Sequence, residues 1–207
     1  MSWAFKAVGG GGGANPTINA AANVPGDLMV LVALSEAASY ATLAGWNELL
    51  RETSGSLRVA VWWKISTGQG AVSFTNADTT CTGAMLSYSG LDGDAYNSQS
   101  AVASVNATSI ATNTLTTAED NELVISCYAG ISFASIWGSA PASTINRVSG
   151  NPTSSRTGLA IVDENQASAG TSTARTQTID TSITLKAISL SFKQAKNSSG
   201  LFFGSNF

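Results

Sequence analysis

The 207-residue sequence predicts an all-β fold: a two-layer antiparallel β-sandwich, jelly-roll-like, with extended N- and C-terminal arms. Three observations predict it. In Leu57-Arg58-Val59-Ala60-Val61-Trp62-Trp63-Lys64-Ile65, strict alternation puts Leu57, Val59, Val61 and Trp63 on one face and Arg58, Trp62 and Lys64 on the other. That pattern marks a half-buried strand whose apolar face needs a second sheet to cover it. Short β-branched and aromatic runs recur between Gly and Ser turns, and no window supports a long helix. Lastly, the later half echoes the earlier one. Asp27-Leu28-Met29-Val30 lines up with Glu122-Leu123-Val124-Ile125 at an offset of 95 residues, Val59-Ala60-Val61 with Leu159-Ala160-Ile161 at 100, and Leu86-Ser87-Tyr88 with Leu190-Ser191-Phe192 at 104. An offset that grows only in loops is what a duplicated strand unit shows.

Taken in order, residues 1–24 are expected to be an N-terminal arm with a Gly-rich linker. Two readings are open for residues 2–8: an arm whose Trp3 and Phe5 dock on a neighbour, or a first strand of the domain itself. The run Gly9 to Gly13 has no side chains to pack and reads as a linker. It is not a phosphate-binding loop, because Ala14-Asn15-Pro16 follows where a Lys, a Ser or Thr and a helix are needed. The domain spans 25–193, with similar halves at about 25–92 and 121–193. Within it Asn23-Val24-Pro25-Gly26-Asp27 is a turn, Leu28 to Leu34 a buried strand, and Trp46 to Arg51 a second strand. The Leu57 to Ile65 strand returns, followed by Val72-Ser73-Phe74 and Gly83 to Ser89. Residues 90–121 are polar and alternate only weakly. A structureless stretch of that length is uncommon, so it is expected to contain one or two edge strands or to lie across another subunit. Strands resume at Glu122 to Ala129 and at Ile183 to Phe192. Residues 194–207 are a linker ending in an apolar tail, with Leu201, Phe202, Phe203 and Phe207 offered to a neighbour after the domain has closed.

Charged residues make up 11% of the chain, about half the usual share, so much of the surface is expected to face other protein. Net charge is −3 and no two Lys or Arg are adjacent, which argues against a nucleic-acid partner. No polybasic anchor and no apolar run near the roughly 18 residues of a bilayer span occur, so no membrane partner is expected. The N-terminus does not read as a secretory signal, and synthesis in a cytoplasm is expected. Cys81 and Cys127 read as two buried, reduced thiols.

The sequence has no His, which removes imidazole as base or metal ligand, and no cofactor or enzymatic activity is expected. Asp92-Gly93-Asp94 with Asn97 puts three oxygen ligands together, as a weak calcium loop does, but lacks the closing Glu and reads as a turn. Asp163-Glu164 and Glu119-Asp120 read as strand ends and solvated charges. Trp62, outward between Arg58 and Lys64, and Trp137, in the loop from Gly130 to Pro141, are the candidates for ligand contact, through stacking on a sugar ring or burial against a partner. Trp46, Trp63 and Tyr88 read as core.

Pro25-Gly26-Asp27-Leu28 leading into an apolar strand, then Gly45-Trp46, Trp62-Trp63-Lys64-Ile65, Val72-Ser73-Phe74 and Leu86-Ser87-Tyr88-Ser89-Gly90-Leu91-Asp92, resembles a β-sandwich module of tailed-bacteriophage virion proteins. The resemblance covers residues 25–92; the later half is similar in strand rhythm alone. It implies a virion part without fixing which, and offers no active site to carry over. The expected function is a non-enzymatic structural protein of the virion, a capsid decoration or cement protein or another accessory component of the particle, held to other virion proteins by its terminal arms and a homo-oligomer. The alternative is a tail-fibre or baseplate module that binds host-surface carbohydrate.

Overall fold

Each half of the chain becomes one sheet. The computed structural model describes residues 2–36, 40–52, 55–74, 81–131, 136–150 and 157–195. Among these, β1 (Ala4–Gly13), β7 (Cys81–Ser89), β3 (Leu28–Ser35), β5 (Arg58–Ile65) and β4 (Asn47–Arg51) lie side by side in that order, antiparallel throughout. The other sheet runs β12 (Ile145–Gly150), β13 (Thr157–Gln166), β11 (Glu122–Ile131), β15 (Thr176–Gln194) and β8 (Leu91–Gln99). There β9 (Ala103–Ala111) continues along β15 where β8 stops. Two short pairs complete the fold: β2 (Thr17–Ile18) with β6 (Val72–Ser73), and β10 (Thr116–Thr117) with β14 (Gly170–Thr171).

The two-layer sandwich is as the alternation predicts, and the inner faces interlock as its core. Val30, Val32, Val61 and Leu86 pack against Ile125, Cys127, Ile161 and Leu190, each such side chain contributing about 2 kcal/mol on full burial. What the strand order adds is that each layer comes from one half of the chain, whereas a jelly roll exchanges strands between its layers.

The echo in the sequence is a duplication in the structure. Val30 pairs with Trp63 on one side and Leu86 on the other, and Ile125 pairs with Asp163 and Leu190, the residues the three offsets put in those places. Two of the irregularities repeat as well. A bulge interrupts β4 between Glu48 and Leu50 and β12 between Asn146 and Val148; another interrupts β1 between Phe5 and Ala7 and β8 between Tyr96 and Ser98. A bulge re-aims a strand and its register is specific, so two bulge positions that each occur in both halves are hard to reach by different routes. Even the polar fastening recurs. Lys6, in its bulge, donates to Asp27 Oδ2 at 2.7 Å, and Asn97, in the matching bulge, donates to Glu122 Oε2 at 2.9 Å. Each carboxylate also accepts turn amides: Val24 N–H for Asp27, and Ala118 and Glu119 N–H for Glu122.

Several expectations need correction. The N-terminal arm is a strand: β1 is the edge of its sheet, with Trp3 and Phe5 edge-on to Tyr88 at 6.1 and 5.5 Å, half-buried on their own core. The repeat therefore starts before residue 25. Gly9 to Gly13 is not a linker either, since it pairs with Met85 to Cys81. The turn and β2 fold back across it, so a Cβ on Gly9 would lie 2.2 Å from Asn19 O and one on Gly11 2.1 Å from Thr17 O. Glycine is there because backbone lies on backbone. Cys81 and Cys127 are buried and form no disulfide, as expected. Residues 201–207, and with them Leu201, Phe202, Phe203 and Phe207, lie outside the described residues.

Candidate functional site: the open edge of the sandwich

The side chains picked out for ligand contact are inside the molecule. Trp62 does point away from the sandwich core, as the alternation requires, but that face has its own cover: Tyr40, Phe74 and Ile18 close over it, and it is 0% exposed. Its ring stacks on Phe74 at 5.6 Å and meets Tyr40 edge-on at 6.0 Å. Tyr40 in turn donates its hydroxyl to Leu34 O, which ties the covering segment to β3. Trp137 is 5% exposed and backs the other sheet with Ile110 and Ile179, bridging to Ile179. Alternation reads which face a side chain takes; it carries no information on whether a loop from elsewhere covers that face.

The calcium reading also changes. The stretch from Leu91 is strand β8, Asp94 is exposed, Asp92's side chain lies outside the description, and Asn97 donates its amide to Glu122 and to Thr116 O. Among the described residues no cluster of three or more His, Cys, Asp or Glu is placed to hold a metal. The pair Asp163-Glu164, expected in solvent, is buried. Glu164 receives Arg175 through two guanidinium nitrogens, and this bond holds the Arg175 pKa above its ordinary value.

Asp163 belongs to the most unusual corner of the molecule. The duplication makes two matching aromatic corners where the layers meet. In one, Trp63 stacks on Tyr96 at 6.1 Å, and Phe192 closes edge-on to both at 6.2 Å. In the other, Phe5 and Tyr88 stand in the places of Tyr96 and Phe192, and Asp163 stands where Trp63 would be. A carboxylate there is fully buried, and its partners are supplied locally. Arg147, the bulge residue of β12, donates from Nε to Oδ2 at 2.7 Å, and Tyr88 donates its hydroxyl to the same oxygen at 3.0 Å. The guanidinium lies 4.1 Å over the Phe5 ring, and Trp3 Nε1 donates to Asn165 Oδ1 at 3.2 Å beside it. Burial first, and the Asp163 charge second, push the Tyr88 phenol well above its ordinary pKa, so it remains the donor. Among the described residues Asp163 Oδ1 has no hydrogen-bond partner. Chemically this corner is a clamp: one oxygen on β13 gathers two donors, one from β12 and one from β7, and so ties three strands and both layers together.

From this clamp the edge of the sandwich opens into a groove of about 300 Å³. Its walls are the two edge strands β1, with Val8 and Gly10, and β12, with Val148 and Gly150; Ala84 and Leu159 form its floor. Val8 is 42% exposed there, although its neighbours on that face of β7 are core. At the matching edge, between β4 and the chain joining β8 to β9, the same cleft retains about 10 Å³. Ile188 stands there in the place of Ala84, and Val102 and Leu50 fill what is left.

Sequence reasoning did not single out Arg147, Val8 or Ala84. The signal for the clamp was nonetheless present, because the offset that aligns Val61 with Ile161 sets a carboxylate against Trp63. Comparison of the chain with protein families, with curated proteins and with solved structures finds no match in any of the three.

Proposed function

We propose that this chain is a non-enzymatic structural component of a bacteriophage virion, an accessory protein of the particle such as a capsid decoration or cement protein. The resemblance of residues 25–92 to virion sandwich modules supports the kind of particle, and the single structural observation that supports a building-block role is the way buried charge is used. Lys6–Asp27, Arg147–Asp163, Arg175–Glu164 and Lys186–Glu52 each join separate segments of the fold. Ion pairs that tie one segment to another favour a single arrangement of the fold, which suits a building block. Since Trp3 and Phe5 are turned in on their own core, attachment in this reading falls to Leu201, Phe202, Phe203 and Phe207 and to the sheet edges. The carbohydrate reading loses the two indoles it was built on, because Trp62 and Trp137 are buried.

The test is particle incorporation. Full-length chain and a chain lacking residues 197–207 are produced alongside assembling particles, which are then purified by sedimentation and probed for the protein. Full-length chain sediments with the particles and the truncated chain stays behind, while both show the same Tm in isolation. Full-length chain that never sediments with any particle overturns the reading.

A further inference from the structure

We propose that the groove between β1 and β12 is a binding site for an extended peptide segment of another protein, one that presents a β-branched aliphatic side chain to the floor at Ala84 and Leu159. The inference goes beyond the virion reading and does not depend on it.

The chemistry of the occupant is shown by the molecule itself. The two edges of the sandwich are built on the same register, so each is a template for the other. At the filled edge, the cleft is closed by Ile188 from below and by Val102 from above, the latter carried on the extended chain between β8 and β9. At the open edge Ala84 replaces Ile188, Thr82 replaces Lys186, and β1 runs on as glycine where the other half has Val102. What is missing is thus an aliphatic side chain on an extended backbone, and about 300 Å³ is left for it. The walls suit the same guest. Both β1 and β12 are edge strands, each in a ladder with one strand among the described residues; on β1 the Gly10 carbonyl already accepts from Asn19 N–H at 3.4 Å and from Asn19 Nδ2 at 3.1 Å, so β12 is the wall left to an added strand. Edge strands present backbone N–H and C=O groups at the spacing that an added strand matches, and pockets for alternate side chains then give selectivity. A compact solute would leave the backbone groups of β12 to water; an extended peptide pairs along β12 and sets its side chains on the floor. Val8, exposed on the wall, supplies the apolar contact at entry.

The probe is the nine-residue peptide Gln-Ser-Ala-Val-Ala-Ser-Val-Asn-Ala, which is the chain's own residues 99–107 and carries the valine that plugs the matching cleft. It is titrated to about 5 mM, several times a dissociation constant of about 1 mM, against isotopically labelled full-length chain. Saturable shifts in the amide signals of Val8 to Gly11 and of Val148 to Gly150 are expected, and a peptide with both valines changed to aspartate gives none. Ala84→Ile copies the filled edge and lowers the affinity at least tenfold without lowering Tm. Val8→Asp, at an exposed position, does the same through the wall and guards against a folding artefact in the first variant. Absence of localised shifts overturns the proposal, as does binding unaffected by both substitutions. Sedimentation equilibrium separates the remaining case: self-association that Ala84→Ile abolishes makes the occupant a second copy of this chain and overturns the assignment to another protein.

Discussion

At the scale of single residues, the clamp at Asp163 is the place where a small change has the largest effect. Removing Asp163 leaves Arg147 and the Tyr88 hydroxyl facing each other in a buried corner, so Asp163→Ala is expected to cost about 3 kcal/mol in urea unfolding. Removing the partners together costs less: Arg147→Leu/Asp163→Leu is expected to be more stable than Arg147→Leu alone, because the single variant strands a buried carboxylate. By contrast, loss of the exposed Arg51–Glu48 pair changes stability by less than about 0.5 kcal/mol. Cys127 supplies a pH signature. Burial raises its thiol from an ordinary value of 9.0 to about 12. A group whose pKa is higher in the folded state binds its proton more tightly there, so its contribution is intact below about pH 9 and is lost as pH climbs towards about 12. Tyr88 adds to the same alkaline slope. The Tm is therefore expected to fall in that window, and to fall less for Cys127→Ala, as differential scanning fluorimetry across pH would read. Trp62 shows what was legible at this scale. Alternation placed it on the correct face, but its cover comes from Tyr40, Phe74 and Ile18, residues separated from it in sequence, so its burial had no local sign. Trp62→Ala is expected to cost about 3–5 kcal/mol as a core truncation.

At the scale of elements, the strand runs were legible wherever one face is apolar: β3, β5, β7 and β11 fall within a few residues of their expected positions. What alternation could not show was β1. Five glycines carry no side-chain period, and their strand character comes from pairing with β7 and from the chain that crosses over them. The strands β8 and β9 were foreseen as edges inside a polar stretch, but their bounds were not, since an edge strand in solvent places few demands on side chains. The glycine run makes a positional prediction. Gly9→Ala and Gly11→Ala put a methyl group into backbone atoms and are expected to destabilise by more than about 2 kcal/mol, whereas Gly10→Ala, whose Cβ would sit 3.4 Å from Gly83 O, costs less than about 1 kcal/mol. Chemical denaturation of the three variants checks the alternation. Equal losses at all three sites would mean that backbone flexibility, and not close approach, is what the glycines provide.

At the scale of the whole molecule, the duplication was the most informative thing the sequence offered, because three short apolar matches carried the register of two sheets. The groove was not legible. It arises from a difference between matched positions, Ala84 against Ile188 and glycine against Val102, and such a difference has meaning only once the positions are known to correspond. Since each layer is one contiguous half, residues 1–90 and 91–207 are expected to be insoluble when made apart and to form a soluble pair when made together, with inner faces that cover each other. Gel filtration of the co-expressed halves checks this.

A chain with the same sheet twice, face to face, is the covalent counterpart of a symmetric dimer. In such a dimer any substitution is made on both sides at once, so an open cleft at one edge would mean an open cleft at the other. Joining the copies lifts that restriction. One edge was then free to close and stabilise the body while the other stayed vacant, and a tryptophan on one side could become a carboxylate on the other without the first corner paying any cost in packing.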